Sequence, residues 1–120
     1  MSEKEQIRAR FRDAVFARAG HRCQGPGCAF PIGVKLDAHH VTNRKKMPAG
    51  GYVAENGIAL CDVPGGCHER AEAVDRGVVV DARFTAEALY RIIGSSLVEA
   101  TAASERLAAG TYVAPKAARR

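Results

Sequence analysis

The chain lacks any long uninterrupted apolar run, which excludes a membrane-spanning helix. It lacks a leader pattern as well. Charged residues recur from Glu3 to Arg18, so no signal peptide is expected and a cytoplasmic location is. No internal repeat is visible. Acidic residues are the minority, 13 Asp and Glu against 18 Lys and Arg, for a net charge of +5. That excess favours an anionic partner, nucleic acid first, although a merely soluble basic protein has the same balance. A length of 120 residues suits a single domain, 1–120, with a modest core. Cysteines number only four, and in a cytosolic chain they argue for metal thiolates over disulfides.

Residues 2–19 read as a helix. Ser2 and Glu5 fit a capping box, Ile7, Phe11, Ala14 and Val15 form an apolar stripe, and Gly20 suits the C-terminal stop. Arg8, Arg10, Arg12 and Arg18 lie mostly off that stripe, placed for phosphate contact or for a solvated face. His21 to Ile32 is a loop containing Cys23-Gln24-Gly25-Pro26-Gly27-Cys28, whose Gly-Pro-Gly centre lets two sulfurs converge. Residues 34–41 alternate as a strand, and Thr42 to Tyr52 is a loop with a tight return at Gly50-Gly51. Ile58-Ala59-Leu60 is a second strand, followed by a second knuckle, Cys61 to Cys67, and a helix from His68 to Arg76. Val78-Val79-Val80 reads as a short extended piece. A C-terminal helical extension, 85–109, follows: one helix capped by Thr85, with Leu89, Ile92 and Ile93 inward, and one capped by Ser95 or Ser96. The tail 111–120 ends basic, in Lys116, Arg119 and Arg120, and is expected to be mobile.

Two cysteine pairs in Pro-Gly loops have the arithmetic of a structural zinc site on Cys23, Cys28, Cys61 and Cys67. The rival allotment replaces Cys67 with His68. Adjacent residues at a helix start usually point apart, so one sulfur and one imidazole serving different metals is the better fit. His39, His40 and His68 then remain, framing Asn56-Gly57. In a regular strand His39 and His40 face opposite ways, so only one of them easily shares a metal with His68. Asp37 shares a strand face with His39 and either orients it or is itself a ligand.

Leu36-Asp37-Ala38-His39-His40-Val41, Gly50-Gly51, Glu55-Asn56-Gly57-Ile58-Ala59-Leu60-Cys61 and Cys67-His68, in this order and with both knuckles, resemble the HNH endonucleases of the ββα-metal superfamily, in particular their zinc-stapled bacterial and phage members. The resemblance covers about residues 11–76. It implies an α+β fold: a ββα-metal core, about 20–76, with a four-cysteine zinc site, flanked by the N-terminal helix and the C-terminal helices. It implies His40 as general base, His39 and His68 as ligands of a catalytic divalent ion, and Asn56 as the residue that holds the His40 loop through backbone bonds. A simple turn role for Asn56 before Gly57 is the alternative. Glu72, one turn beyond His68, is a third ligand or a solvated carboxylate.

The implied activity is hydrolysis of DNA phosphodiester bonds, by a hydrolase using His40 and one ion of Mg2+, Mn2+, Ni2+ or Zn2+. Arg44, Lys45 and Lys46 follow the base and would hold the backbone of double-stranded DNA. One motif copy cuts one strand, so double-strand cleavage needs two molecules or two events. The helices after residue 84 either carry a homodimer contact or complete the core. The alternative function is a zinc-stabilised nucleic-acid-binding module without catalysis, which gives no reason for His39, His40, Asn56 and His68 together.

Overall fold

The first helix, α1 (Glu3–Ala19), starts where its orphan amides find partners. Ser2 Oγ accepts from Glu5 N at 3.1 Å, and Glu5 Oε1 accepts from Ser2 N at 3.2 Å. It ends at Gly20, left-handed at φ 66°, and His21 extends the cap by donating its backbone N–H to Phe16 O. The computed structural model describes residues 1–30 and 32–115. Lys116, Arg119 and Arg120 of the expected basic tail therefore lie outside the described residues. The part of the tail that is described is tied down: Tyr112 Oη donates to Glu55 Oε1 at 2.8 Å and accepts from Ala54 N at 3.0 Å.

Strand β1 (Leu36–His40) pairs antiparallel with β2 (Gly57–Cys61), with Asp37 opposite Leu60 and His40 opposite Gly57. β1 is shorter than the expected 34–41. Two strands alone are marginal in water, and helices cover both faces here. Phe11 and Val15 of α1 pack with Ala59 on one face. Ile58 and Leu60 pack on the other face with Phe84, Leu89 and Tyr90. A side chain at Gly57 would lie 2.4 Å from Val15 Cγ2, so the close approach of α1 to β2 requires glycine there. Asn56 ends a single 3-10 turn, Ala54–Asn56, closed by Gly57 N–H onto Ala54 O; Gly57 itself is extended at φ −125°, and Asn56 is fully buried, so it is more than a turn former.

Beyond β2 come α2 (Cys67–Asp75), α3 (Ala86–Ile93) and α4 (Leu97–Ala108). Thr85 Oγ1 caps α3 at Ala88 N, and Ser96 Oγ caps α4 at Glu99 N. The inward face of α3 is Leu89 and Tyr90. Ile93 packs against the core as expected, whereas Ile92, expected inward, is 42% exposed, because Tyr90 takes its place in the buried stripe. Residues 78–80 form no strand and stand exposed. α3 and α4 complete the core through Leu89, Tyr90, Ala100 and Ala103. Among the described residues no helix is long and apolar enough to cross a membrane.

Candidate functional site

The loop after α1 and the knuckle after β2 bring Cys23, Cys28, Cys61 and Cys67 together, with their sulfurs all within 4.8 Å of one another. None of the four is in a disulfide. Cys28 Sγ and Cys61 Sγ are 3.7 Å apart. Sulfurs at about 2.3 Å from a tetrahedral zinc stand roughly 3.8 Å apart, so the spacing is compatible with a structural metal. Backbone amides point at the sulfurs: Cys61 N donates to Cys23 Sγ, Phe30 N to Cys28 Sγ and Cys67 N to Cys61 Sγ, each at 3.2 Å. Such donors favour thiolates. Burial opposes them, and without a cation the Cys23 thiol is pushed up to about 11. Gly25 makes the closure sterically feasible, since a side chain there would lie 2.3 Å from Cys67 Sγ. Cys67, not His68, belongs to this cluster.

His68 turns the other way, as adjacent positions at a helix start should. Its Nε2 lies 3.2 Å from Asp37 Oδ2 and 3.0 Å from Glu72 Oε1, and its Nδ1 lies 3.4 Å from Asp62 Oδ1. Asp37, His39 and His68 each offer one ligand atom within 4.8 Å of the others. Of the two roles open to Asp37, support for His39 or ligand, its position beside both histidines is compatible with the second. It stands there because Asp37 and His39 lie opposite Leu60 and Ile58, on the face that α2 covers. Glu72 pairs with His68 one turn away and remains exposed to solvent. Burial, more than the neighbouring His68, depresses the His39 pKa to about 4.

His40 points to the opposite face. It stacks on Phe11 at 4.6 Å and 27° and meets the edge of Tyr52 at 4.6 Å and 88°. Burial, reinforced by Arg44, His39 and Arg8, lowers its pKa to about 4, so the imidazole is neutral at pH 7. Its Nε2 is buried and has no protein partner. The two histidine faces are not separate sites. Consecutive residues Leu36–His40 line one open cleft of about 480 Å³ along β1, which His68, Glu72 and Asp75 also border.

The cleft also has a cationic border formed by Arg12, Arg44 and Lys45. Arg44 Nη1 donates to Tyr52 Oη at 2.8 Å, and the Arg8 guanidinium lies 5.3 Å from the Tyr52 ring centre. Lys46 is exposed but does not border the cleft. Arg18 neither faces a phosphate path nor is freely solvated. It donates to Ala54 O at 2.8 Å and to Gly57 O, joining α1 to the turn before β2.

Asn56 uses its full hydrogen-bonding capacity. Its Oδ1 accepts from Thr42 N at 2.9 Å and from Tyr90 Oη at 2.7 Å, and its Nδ2 donates to Thr42 O at 3.1 Å and to Gly51 O at 3.2 Å. Val41 N donates to Asn56 O at 2.9 Å. Both ends of the 42–51 loop are thus held by one buried amide, immediately after His40. Tyr52 and Tyr90 were missed by sequence reasoning. For Tyr90 a signal existed, because a tyrosine on the apolar face of a helix needs a buried partner for its hydroxyl. Comparison with protein-family models, curated proteins and solved structures finds no match for this chain, so its functional assignment rests on the residues and geometry above.

Proposed function

We propose that the chain is a metal-dependent DNA endonuclease of the HNH type. The observation that carries this reading is the sharing of one cleft by two chemistries on opposite faces of one strand. A neutral imidazole, His40, stands on one face, and the Asp37, His39 and His68 cluster on the other. A simple binding module needs neither. The four cysteines would hold a structural zinc that closes the long loop after α1 onto β2.

Asp37, His39 and His68, with Glu72 beside His68, would hold one divalent ion. When bound, such an ion neutralises charge developing on the scissile phosphate and the leaving 3′ oxygen. The remaining work falls to side chains. His40 accepts a proton from water as the water oxygen bonds to phosphorus and the bond from phosphorus to the 3′ oxygen breaks. Phe11 and Tyr52 hold the imidazole plane, and Asn56 holds the loop that follows it. Arg44 and Lys45 carry the positive charge that seats the DNA backbone.

Incubating supercoiled plasmid with pure protein in Mg2+, Mn2+, Ni2+ or Zn2+ tests the reading. Nicked circles should appear with at least one ion and vanish with chelator. Plasmid left intact in every ion, but retained by the protein at low salt, would favour the zinc-stabilised binding module instead.

The cationic border gives a further prediction. Arg44→Ala and Lys45→Ala should each flatten the log-log salt dependence of duplex binding by about 0.9 unit, the loss of roughly one phosphate contact. Lys46→Ala should change it much less, since Lys46 lies off the cleft. Titrations of a labelled duplex at several salt concentrations read the slopes directly. Equal slopes for all three variants and the wild type would show that the loop is only solvated.

A further inference from the structure

We infer that Tyr90, on the first helix of the C-terminal extension, is a positioning residue for the active cleft: its hydroxyl anchors the Asn56 amide that fixes the loop following His40. This inference rests on the nuclease reading for its effect on rate, and on geometry alone for the anchoring.

Tyr90 is 4% exposed, and its Oη lies 2.7 Å from both Asn56 Oδ1 and Thr42 Oγ1. A tyrosine hydroxyl carries one proton. With that proton donated to Asn56 Oδ1, Thr42 must donate to Tyr90, giving a directed chain from Thr42 Oγ1 through Tyr90 Oη to Asn56 Oδ1. The Thr42 backbone closes the ring, because its N–H also donates to Asn56 Oδ1 and its carbonyl accepts from Asn56 Nδ2. The Thr42 N–H and the carbonyls of Thr42 and Gly51 fix which end of the amide is the oxygen, and Tyr90 Oη supplies that oxygen's second donor, so the amide is held from α3 as well as from its own loop.

The rest of the extension acts on the same turn. Ser95 Oγ donates to Glu55 O at 2.7 Å, and Tyr112 Oη bonds Glu55 Oε1 and Ala54 N. Three side chains from beyond residue 84 thus reach three consecutive residues, Ala54, Glu55 and Asn56. Gly51 admits the amide from the far side, since a side chain there would lie 2.7 Å from Asn56 Nδ2. The helices past the metal-binding segment are in this way part of the scaffold of the cleft.

The test is Tyr90→Phe in the full chain, which keeps the buried ring and deletes one oxygen. Hydrogen exchange of the Asn56 side-chain NH2, followed by NMR, reads the anchoring. Single-turnover cleavage and duplex affinity read the consequence. We expect exchange to accelerate at least 10-fold and cleavage to slow by roughly 10- to 100-fold, the usual scale for a misplacement of about 1 Å. Metal content and duplex Kd should stay within twofold of wild type. Unchanged exchange overturns the anchoring whether or not the protein cuts DNA. Faster exchange with an unchanged cleavage rate overturns the positioning role. A wild-type chain that cuts nothing overturns the nuclease reading and the rate effect with it, and the exchange data still decide the anchoring. Should Tyr90→Phe fail to fold, the wild-type exchange rate decides: an Asn56 NH2 that exchanges as freely as an exposed asparagine overturns the inference.

Discussion

His40→Ala should reduce DNA cleavage by about 100- to 10,000-fold, the usual contribution of a positioned general base. Metal content and duplex affinity should stay close to wild type, because removing a proton acceptor raises the transition state and leaves the ground-state complex alone. The packing of His40 adds a complication. The ring lies between Phe11 and Tyr52, and aromatic pairing of this kind is worth about 0.5–1.5 kcal/mol beyond burial. Some loss of stability will accompany alanine. His40→Gln keeps most of the volume and supplies no base near pH 7, so it should be as inactive as alanine while melting closer to wild type. His39→Ala and His68→Ala should behave differently. They should weaken affinity for the divalent ion, and excess Mn2+ should restore part of their rate. Single-turnover cleavage of a labelled duplex across a metal titration distinguishes the variants. Rescue of His40→Ala by metal, with His39→Ala dead at every concentration, would exchange the two roles. Wild-type rates in all three alanine variants would end the nuclease reading.

Cys23→Ser should cost the protein its structural zinc and most of its folded state. Among its described residues the loop between α1 and β1 has no helix or strand of its own, and it meets β2 through few bonds. Gln24 N donates to Ala59 O at 2.8 Å, Gln24 Oε1 accepts from Ala59 N at 3.1 Å, and Cys61 N donates to Cys23 Sγ. Apparent zinc-binding free energies at such sites are about 10–16 kcal/mol, as large as the whole stability of a typical domain, roughly 5–15 kcal/mol. Losing one of four ligands should therefore abolish the cooperative melting transition or lower its midpoint steeply, and a strong chelator should do the same to wild type. Thermal unfolding by circular dichroism, with zinc counted per chain, provides the readout. A zinc-free Cys23→Ser protein with wild-type melting would refute the four-cysteine centre.

Some of this molecule is written locally. The capping box at Ser2 and Glu5, the left-handed stop at Gly20 and the Thr85 cap act within one helical turn and stand where the sequence puts them, and Ser96 takes the cap that the sequence leaves open between it and Ser95. The two-residue period of a strand sends His39 and His40 to opposite faces, whatever surrounds them. The short Gly-containing loops bring the two sulfurs of each cysteine pair together, and docking of the first loop on β2 brings the two pairs to one place. Tertiary packing decided the rest. No local rule says that Arg18 will reach the carbonyls of Ala54 and Gly57, that Asp37 will meet His68 on α2, or that Tyr90 will find an amide 34 residues earlier. Nor does helical spacing distinguish Ile92, which stays at the surface, from Tyr90, which is buried. Those outcomes depend on which faces of the two-stranded sheet the helices cover. Capping and alternation arise from the covalent geometry of a few neighbouring residues. The reach of Arg18, Asp37 and Tyr90 exists only after the chain has closed on itself, when each buried polar group must pair with whatever the fold has set beside it.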